Sequence, residues 1–508
     1  MTRLPRLFTR PELWLCLAIV MLAAALRLYG IGHDLPYSPA VDEPAVVGRA
    51  VDMMKTGDLN PHFFDYGGLV IYLHLLVAVP RFIAGALAGE WNTLGAAETH
   101  DFILWSRVVT AMLGTLTVLL VYLIGRRRSE ATGLIGALLV AVFGQHVRES
   151  HYALTDVPLT FAIAAAWLAS LRAGERPSLV RFAVAGALAG LATSAKYPGV
   201  FAFVLPLLVI WATRGSLGVA RVRATLVTVG AGAAAFLLTS PYTVLDLPAF
   251  LDAFAYLANV YRAGAPPAEP PWLLYIKHFR NGAGYGLLYA VVPAVAWTIW
   301  QLGRRQSRVF ALLALVVPAI LYAFISRQQI VYGRYLLPIL PFVAVMVGGL
   351  AGDLLRLVAA ATPRRAVRVA AAAAIVAVLA AQPAVQASRF ARSLGLENTT
   401  RLAHEWIRAH VQPDQKIALE TRLIVPDERR HAVTFVSRLI DHPAEYYRDE
   451  GFVYLVAADQ AFGGAFRGDQ SPDAAAYREL VRQMEPVQQW VPGRDQRGPE
   501  IRIFRVVR

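Results

Sequence analysis

Long apolar runs separated by short polar connections recur between residues 12 and 385. A helix that crosses the hydrocarbon core of a bilayer needs about 20 mostly apolar residues. Runs close to that length predict about 11 transmembrane helices, over residues 12–30, 102–124, 131–147, 156–172, 182–195, 198–213, 224–240, 284–303, 309–326, 334–355 and 367–385. The pattern therefore predicts an all-α polytopic membrane protein.

Arginine clusters occupy every second connection between these helices. Because cytoplasmic loops of membrane proteins carry an excess of Lys and Arg, the clusters predict the cytoplasmic side. The six clusters contain Arg3, Arg6 and Arg10; Arg126, Arg127 and Arg128; Arg172, Arg176 and Arg181; Arg214, Arg221 and Arg223; Arg304, Arg305 and Arg308; and Arg356, Arg364, Arg365 and Arg368. A crossing at the apolar residues 67–87 would move the later clusters outside, so we predict a helix at the outer membrane surface there.

The same topology predicts which parts of the chain face away from the cytoplasm. These are a first outward loop at 31–101, a second long one at 241–283 and a tail at 386–508. We predict two domains, a transmembrane domain over 1–385 and a C-terminal soluble α/β domain over 386–508. In the tail, an amphipathic helix at 400–410 and apolar runs such as 452–456 alternate with charged residues, which supports the α/β prediction.

Composition agrees with a membrane protein and excludes two other classes. The chain is 56% hydrophobic and 17% charged, with a mean hydropathy of +0.47, unlike an ordinary soluble domain. The net charge of +14 comes mainly from arginine between apolar runs, which indicates a membrane topology signal and no nucleic-acid partner. The single cysteine, Cys16, excludes an internal disulfide framework.

Two acidic motifs lie at the outer ends of predicted helices, where an ionisable group is costly unless it is solvated, paired or used. Asp42 and Glu43 follow the first helix, and Asp156 stands at a later outward turn. An acid before proline also suits a helix start, and capping can coexist with catalysis. The topology places Asp42 and Asp156 on the same face, although they are far apart in sequence.

Two basic motifs are predicted on that face as well. Lys196 stands at a tight outward turn in a chain that uses lysine only four times, and Arg334 with Tyr335 begins a late span. Both cations could bind a phosphate, and interface anchoring of the side chains is the alternative. Further candidates for substrate or metal contacts lie in the outward loops: His62, Asp65, Arg148 and His151. A divalent metal cation is therefore a candidate cofactor, with its ligand set left open.

These motifs together resemble the GT-C glycosyltransferases, in the phospholipid-carrier-dependent branch that is similar to glycosyltransferase family 39. That branch includes the protein O-mannosyltransferases and the lipid A aminoarabinose transferases. The resemblance covers nearly the whole chain, and its specificity comes from the order and sidedness of short motifs. The motifs are Pro39–Pro44 with Asp42 and Glu43, Gly57–Pro61, Thr155–Pro158, Lys196 with Tyr197, and Arg334–Pro338.

The resemblance implies a GT-C fold and an inverting glycosyltransferase of the cytoplasmic membrane. A sugar would pass from a polyprenyl-phosphate carrier to an acceptor hydroxyl on the periplasmic or extracellular side. Asp42 would be the general base, and Glu43 would orient it or help to hold a metal. Lys196 and Arg334, with Tyr335, would bind the carrier phosphate. Asp156 would position the acceptor, a cation or a metal.

The acceptor stays open between a lipid, a glycan and a protein. Residues 60–68 depart from the protein O-mannosyltransferase pattern, which has a His-Pro-Pro run after an acidic residue. The alternatives to a transferase are a polytopic transporter or lipid flippase, and a non-catalytic membrane subunit. Transporters tend to contain two related halves with charges near the membrane midplane, whereas the candidate residues here lie at helix ends. A subunit without activity would leave Asp42, Asp156 and Lys196 unexplained as a group.

Overall fold

The computed structural model describes residues 11–37, 42–212, 218–263, 267–420 and 432–507. These residues form two compact units. The helical unit contains Met1–Ile31 and Ala45–Ala391, and the C-terminal unit contains Gly32–Pro44 and Arg392–Arg508. The predicted spans and Asp156 belong to the helical unit, whereas Asp42 and Glu43 belong to the C-terminal unit.

Sixteen α-helices lie between Pro11 and Ser393 in the described residues. They are α1 (Pro11–Leu28), α2 (Asp42–Thr56), α3 (Leu69–Leu87), α4 (His100–Gly125), α5 (Glu130–Val142), α6 (Gly144–Glu149), α7 (Asp156–Glu175), α8 (Leu179–Ala195), α9 (Val204–Ala212), α10 (Gly218–Thr239), α11 (Tyr242–Leu245), α12 (Leu247–Ala263), α13 (Pro271–Gln301), α14 (Arg308–Ile325), α15 (Leu340–Ala361) and α16 (Arg365–Ser393). Short 3-10 helices cover Leu94–Ala96, Tyr197–Phe203 and Gly333–Ile339.

Nine helices in the described part of the chain are long and apolar enough to cross a membrane. Each of the eleven predicted spans coincides with an apolar helix, and three of them with helices that are shorter: Glu130–Val142, Leu179–Ala195 and Tyr197–Ala212. The protein is therefore a multi-pass membrane protein, as predicted. Leu69–Leu87 also meets the length and composition of a span, so its placement at the outer surface stays a prediction.

Several predicted helix ends differ from the observed ones for local reasons. The span predicted at 131–147 is interrupted at Phe143, whose extended backbone (φ −67°, ψ 111°) separates α5 from α6. The span predicted to begin at 284 is the second part of α13, which starts at Pro271 and is broken at Gly284. Gly284 has a φ of 73°, a conformation that glycine adopts without a steric penalty. Breaks of this kind leave the apolar pattern unchanged.

Close packing of α8 on α10 depends on two glycines. A Cβ atom at Gly186 would lie 2.0 Å from the carbonyl oxygen of Thr228, and one at Gly190 would lie 2.0 Å from that of Gly232. Small residues four positions apart let membrane helices approach until their backbones touch. Elsewhere in the core, the buried ring of Trp167 on α7 stacks on Phe342 of α15, with 4.4 Å between ring centroids.

The C-terminal unit combines helices with a mixed sheet. Its elements are β1 (Glu397–Asn398), α17 (Thr399–His410), β2 (Lys416–Leu419), β3 (Ala432–Phe435), α18 (Ala444–Asp449), β4 (Phe452–Ala458), α19 (Asp459–Phe462), α20 (Pro472–Arg482), β5 (Met484–Trp490), β6 (Gln496–Arg497) and β7 (Ile501–Val506). The five-stranded sheet has the order β3-β2-β4-β7-β5, and β1 pairs with β6 in parallel. The predicted α/β character of the tail is confirmed, including the amphipathic helix now described as α17.

Candidate active site

Three charged residues predicted on one face meet in the helical unit. The Nζ atom of Lys196 donates a hydrogen bond of 2.8 Å to Oδ1 of Asp156. The Nε atom of Arg334 lies 3.5 Å from Oδ2 of the same carboxylate. The exposed fraction of the side chain is 11% for Lys196, 20% for Arg334 and 4% for Asp156. We call these three residues the charged cluster.

Each member of the charged cluster comes from the end of a helix. Asp156 is the first residue of α7, and its side chain is directed at the two cations and not at the amides of its own helix. Lys196 directly follows α8 with an extended backbone (φ −162°, ψ 137°). Arg334 lies in the 3-10 helix that precedes α15. Helix ends thus direct three charged side chains to one largely buried point, where they pair with one another.

The turn that carries Lys196 depends on the two residues after Tyr197. Pro198 lacks an amide hydrogen and does not continue α8. A Cβ atom at Gly199 would lie 2.0 Å from the carbonyl oxygen of Ala192, so the chain can fold back there only with glycine. The Tyr197 hydroxyl donates hydrogen bonds of 2.7 Å and 3.2 Å to the carbonyl oxygens of Phe64 and Tyr66. These bonds attach part of the first predicted outward loop to the Lys196 turn.

Aromatic rings surround the two cations. The Lys196 ammonium lies 4.4 Å from the ring centroid of Tyr335 and 5.6 Å from that of Tyr66. The Arg334 guanidinium lies 4.7 Å from the ring of Tyr332. The hydroxyls of Tyr335 and Tyr261 share a hydrogen bond of 2.8 Å. A cation over an aromatic face is stabilised electrostatically, so the rings hold both cations in place. Tyr335, a predicted contact of the carrier phosphate, lies next to the charged cluster.

The charged cluster carries one net positive charge, since two cations share one carboxylate. An anion that enters next to Lys196 and Arg334 meets donors that are already oriented. Arg can bind a phosphate through two parallel N–H groups, and Lys binds it as a compact point charge. The cluster is therefore suited to a phosphate group.

Glu149 is a further residue of this region, and the sequence places it in the outward loops with the possible metal contacts named above. It ends α6, is 4% exposed, and accepts a 2.6 Å hydrogen bond from Nε2 of Gln145. Burial raises the pKa of Glu149 to about 7, and the charges of Arg148, Asp156, Arg334 and Lys196 also act on it. The sequence signal was an acid seven residues before Asp156 in the same predicted turn. Its burial could not be read from that position.

The other predicted contacts are distributed over several places. His62 is exposed and its Nε2 lies 2.9 Å from Oδ2 of Asp58. Arg148 is also exposed, with its Nε 3.7 Å from Oε1 of Glu149. Both ring nitrogens of the buried His151 face backbone oxygens, Nδ1 at 2.8 Å from Val147 and Nε2 at 3.0 Å from Tyr29. A histidine that binds a metal directs one ring nitrogen at the ion, whereas both nitrogens of His151 are directed at the backbone here.

Asp65 lies on the first predicted outward loop, between the two carbonyl oxygens that Tyr197 binds. Burial raises the pKa of the Asp65 carboxyl, and the charge of Arg49 partly offsets this rise. Asp42 and Glu43 form the first turn of α2, with Asp42 half-buried and Glu43 fully buried. Because these two residues belong to the C-terminal unit, their catalytic role stays a prediction.

The described residues contain no group of three His, Cys, Asp or Glu side chains that could bind a metal ion. The charged cluster itself offers one carboxylate that already binds two cations. The described residues thus do not fit a resident metal, and no chemical step is assigned to one.

Solved structures define the class of this fold. The chain aligns with ArnT from Cupriavidus metallidurans bound to undecaprenyl phosphate with a TM-score of 0.55 and 14% identity, covering 97% of this chain and 98% of that one. It aligns with the Archaeoglobus fulgidus oligosaccharyltransferase with a TM-score of 0.58 and 14% identity, covering 95% and 74%. The protein therefore has the GT-C fold.

Sequence comparisons indicate particular relatives within that class. Residues 55–251 match the family model described as dolichyl-phosphate-mannose-protein mannosyltransferase. The chain is 27% identical over 342 residues to undecaprenyl phosphate-alpha-4-amino-4-deoxy-L-arabinose arabinosyl transferase 1 of Pseudomonas fluorescens, which covers 64% of this chain and 58% of that protein. The chain thus spans little more than half the length of this relative. The resemblance to GT-C glycosyltransferases is confirmed.

Proposed function

We propose that the protein transfers a sugar from a polyprenyl-phosphate carrier to an acceptor hydroxyl, with inversion at the anomeric carbon. The observation that carries the proposal is the charged cluster, in which Lys196 and Arg334 present donors beside a single carboxylate. The names of the relatives support the donor, because one transfers from undecaprenyl phosphate and another was solved with that lipid bound.

In this proposal Asp42 is the general base. The acceptor oxygen attacks the anomeric carbon, the bond from that carbon to the carrier phosphate oxygen breaks, and the acceptor proton moves to the Asp42 carboxylate. Proton transfer of this kind contributes about 10²–10⁴-fold to the rate. Glu43, which is buried beside Asp42, orients the base.

The leaving phosphate gains negative charge as the bond breaks. Lys196 and Arg334 stabilise that charge because their donors are fixed before the reaction, which is the general basis of electrostatic catalysis. Tyr335 keeps the Lys196 ammonium in position through its ring. Asp156 pairs with both cations and so holds them together at one point.

The proposal includes the location and leaves the acceptor class open. The arginine clusters support a cytoplasmic membrane protein whose outward loops and C-terminal domain face the periplasm or the exterior. Lipid, glycan and protein acceptors are all compatible with a hydroxyl nucleophile. The described residues offer no ligand set for a divalent cation, and a chelator tests directly whether transfer requires one.

The experiment measures release of polyprenyl phosphate by the purified protein from a panel of undecaprenyl-phosphate sugars. Wild type is compared with Asp42→Asn and with Asp52→Asn, a matched control at an exposed position of α2. We expect release by wild type and by Asp52→Asn, and a loss of at least about 100-fold in Asp42→Asn. A parallel series with a chelator, followed by added Zn²⁺ or Mg²⁺, decides the metal.

Full activity of Asp42→Asn would remove Asp42 as the base. Absence of release from every donor, combined with lipid translocation in a liposome assay, would favour a flippase instead. Release that persists with the chelator would exclude a readily exchangeable metal.

A further inference from the structure

The beginning of the first predicted outward loop packs on the C-terminal unit. Gly32–Pro44 cluster with Arg392–Arg508 in one compact unit. Asp34 accepts a charged hydrogen bond from Nη2 of Arg497. The ring of Tyr37 lies on that of His404, with 3.8 Å between the centroids. An ion pair and an aromatic contact thus attach the loop to the tail.

Both attachment points on the tail belong to one rigid piece of structure. Arg497 lies on β6, which pairs in parallel with β1 so that Arg497 is opposite Asn398. The Asn398 side chain accepts a 3.0 Å hydrogen bond from the amide of Thr400 and so caps α17, the helix that carries His404. The position of Arg497 and that of His404 are therefore set by the same pair of strands.

Two further contacts tighten this piece. The Thr399 hydroxyl donates a 2.7 Å hydrogen bond to the carbonyl oxygen of Pro499. Gly498 has a φ of 110°, and a Cβ atom there would lie 2.4 Å from the Thr399 hydroxyl oxygen. Only glycine fits this approach, which keeps the strand next to Arg497 against the start of α17.

The ion pair is shielded from solvent. The Asp34 side chain is 6% exposed and that of Arg497 is 19% exposed. Exposed ion pairs contribute little because water and salt screen them, whereas loss of one partner from a shielded pair leaves an uncompensated charge. The Asp34–Arg497 contact therefore resists opening far more than a surface pair would.

On the loop, the two attached residues belong to one turn. The amide of Tyr37 donates a 2.9 Å hydrogen bond to the carbonyl oxygen of Asp34. Asp42 follows five residues after Tyr37 and lies in the same compact unit. The turn therefore belongs to the same unit as the acidic motif and precedes it closely in the chain.

We propose that His404 and Arg497 of the tail act as a clamp on residues 34–37 of the loop that leads to Asp42 and Glu43, with Asp34, Tyr37, His404 and Arg497 as positioning residues. This inference rests on the proposed function, in which Asp42 is the base. Displacement of a catalytic group by about 1 Å can reduce a rate about 100-fold. Loosening the clamp should therefore lower kcat and leave carrier binding unchanged, because Lys196 and Arg334 belong to the helical unit.

The experiment uses the full-length protein with Arg497→Glu, Asp34→Arg and the double charge swap. The matched control is Arg505→Glu, which breaks the exposed pair with Glu485 on the same unit. Hydrogen exchange of residues 32–37 measures attachment of the loop, and kcat and KM for the sugar donor measure its consequence. Tyr37→Leu removes the aromatic contact alone, for the case in which a charge reversal prevents folding.

We expect each single reversal to speed exchange in 32–37 and to lower kcat about 10- to 100-fold, with KM within about twofold of wild type. The double swap should restore both readouts, and the control should change neither. Unchanged exchange in Arg497→Glu and Tyr37→Leu would overturn the clamp, whether or not the wild-type protein transfers sugar. Faster exchange with a wild-type kcat would overturn its positioning role. Absence of transfer by wild type would overturn the proposed function, and exchange would still report on the attachment.

Discussion

Asp156 pairs with both cations of the charged cluster. The carboxylate lies 2.8 Å from Lys196 Nζ and 3.5 Å from Arg334 Nε. An unpaired buried cation would be costly, so the carboxylate makes it possible to keep two cations ready at a largely buried point. A phosphate must share these donors with Asp156, and its affinity reflects that competition.

Replacement of Lys196 tests the contact with the carrier phosphate. Lys196→Ala should weaken binding of undecaprenyl phosphate about 10-fold or more, since a hydrogen bond to a charged group contributes about 1.5–3 kcal/mol. The measurement is a binding titration of the purified protein with the carrier. Lys55→Ala at the end of α2 is the control and should bind as wild type. Equal affinity of Lys196→Ala and wild type would contradict the assigned role.

The protonation of Glu149 should make stability depend on pH. Its carboxyl has a pKa of about 7 in the fold against a usual value of 4.5. Below pH 4.5 the carboxyl is neutral in both folded and unfolded states, and above pH 7 the fold must hold a buried charge. Wild type therefore loses stability as pH rises from 4.5 to 7, by about 3 kcal/mol at most.

Glu149→Gln removes this ionisation and keeps an oxygen that can accept from Gln145. Its melting temperature should match that of wild type near pH 4.5 and exceed it near pH 8. Glu485→Gln, at an exposed position of the C-terminal unit, serves as the comparison and should show no such trend. A difference between Glu149→Gln and wild type that is the same at both pH values would contradict the shifted ionisation.

At this scale the sequence predicted part of the site. The predicted topology placed Asp156, Lys196 and Arg334 on one face. Loops rich in Arg mark the cytoplasmic side, so the helix ends without them lie on the opposite side. The pairing of these residues was not predictable, and neither was the contact from Tyr261 to Tyr335, since both depend on how distant helices pack. The sequence offered His151 as a possible substrate or metal contact, and it could not show that both ring nitrogens face backbone oxygens.

At the scale of secondary-structure elements, the packing of α8 on α10 requires that the two backbones approach each other closely. Gly186 and Gly190 let α8 pack closely against α10. A Cβ atom at either position would lie only 2.0 Å from a carbonyl oxygen of α10. Lys196 follows α8 directly, so the packing of this helix determines where the lysine is held.

Gly190→Ala should separate α8 from α10, lower the melting temperature and reduce carrier binding together. Gly230→Ala is the matched control, because Gly230 lies on α10 and a Cβ atom there meets nothing within 4 Å. Thermal unfolding and the carrier titration are measured on both variants. A wild-type melting temperature for Gly190→Ala would show that the helices can move apart without loss.

The presence of each helix could be predicted from the sequence, but the breaks within the helices could not. Apolar length identifies a helix because the bilayer core requires it. The breaks at Phe143 and Gly284 and the 3-10 helices before α9 and α15 leave the apolar run intact, so hydropathy cannot detect them. Lys196 directly precedes one of these 3-10 helices and Arg334 lies in the other. The location of the charges along the chain was therefore predictable, whereas their geometry was not.

At the scale of the whole molecule, the path of residues 67–87 decides the topology. The helix Leu69–Leu87 is long enough to cross, whereas the arginine clusters predict that it stays on the outer side. The two possibilities differ in the side on which residues 88–98 lie.

Cysteine labelling separates them in a Cys16→Ser background, which has no other thiol. Leu59→Cys and Asn92→Cys, both exposed, should react with an impermeant maleimide in intact cells. Arg305→Cys, in a predicted cytoplasmic loop, should react only after permeabilisation. Protection of Asn92→Cys in intact cells would mean that 69–87 crosses the membrane and would reverse the predicted side of every later loop.

The contact between Asp34 and Arg497 also has a consequence for biosynthesis. The two residues are 463 positions apart, so at about 5–20 residues per second the ribosome needs roughly 20 to 90 s to deliver the arginine after the aspartate. During that interval the helices are inserted while the acidic loop lacks its partner. We therefore expect the protein to acquire activity only after Arg497 has been synthesised.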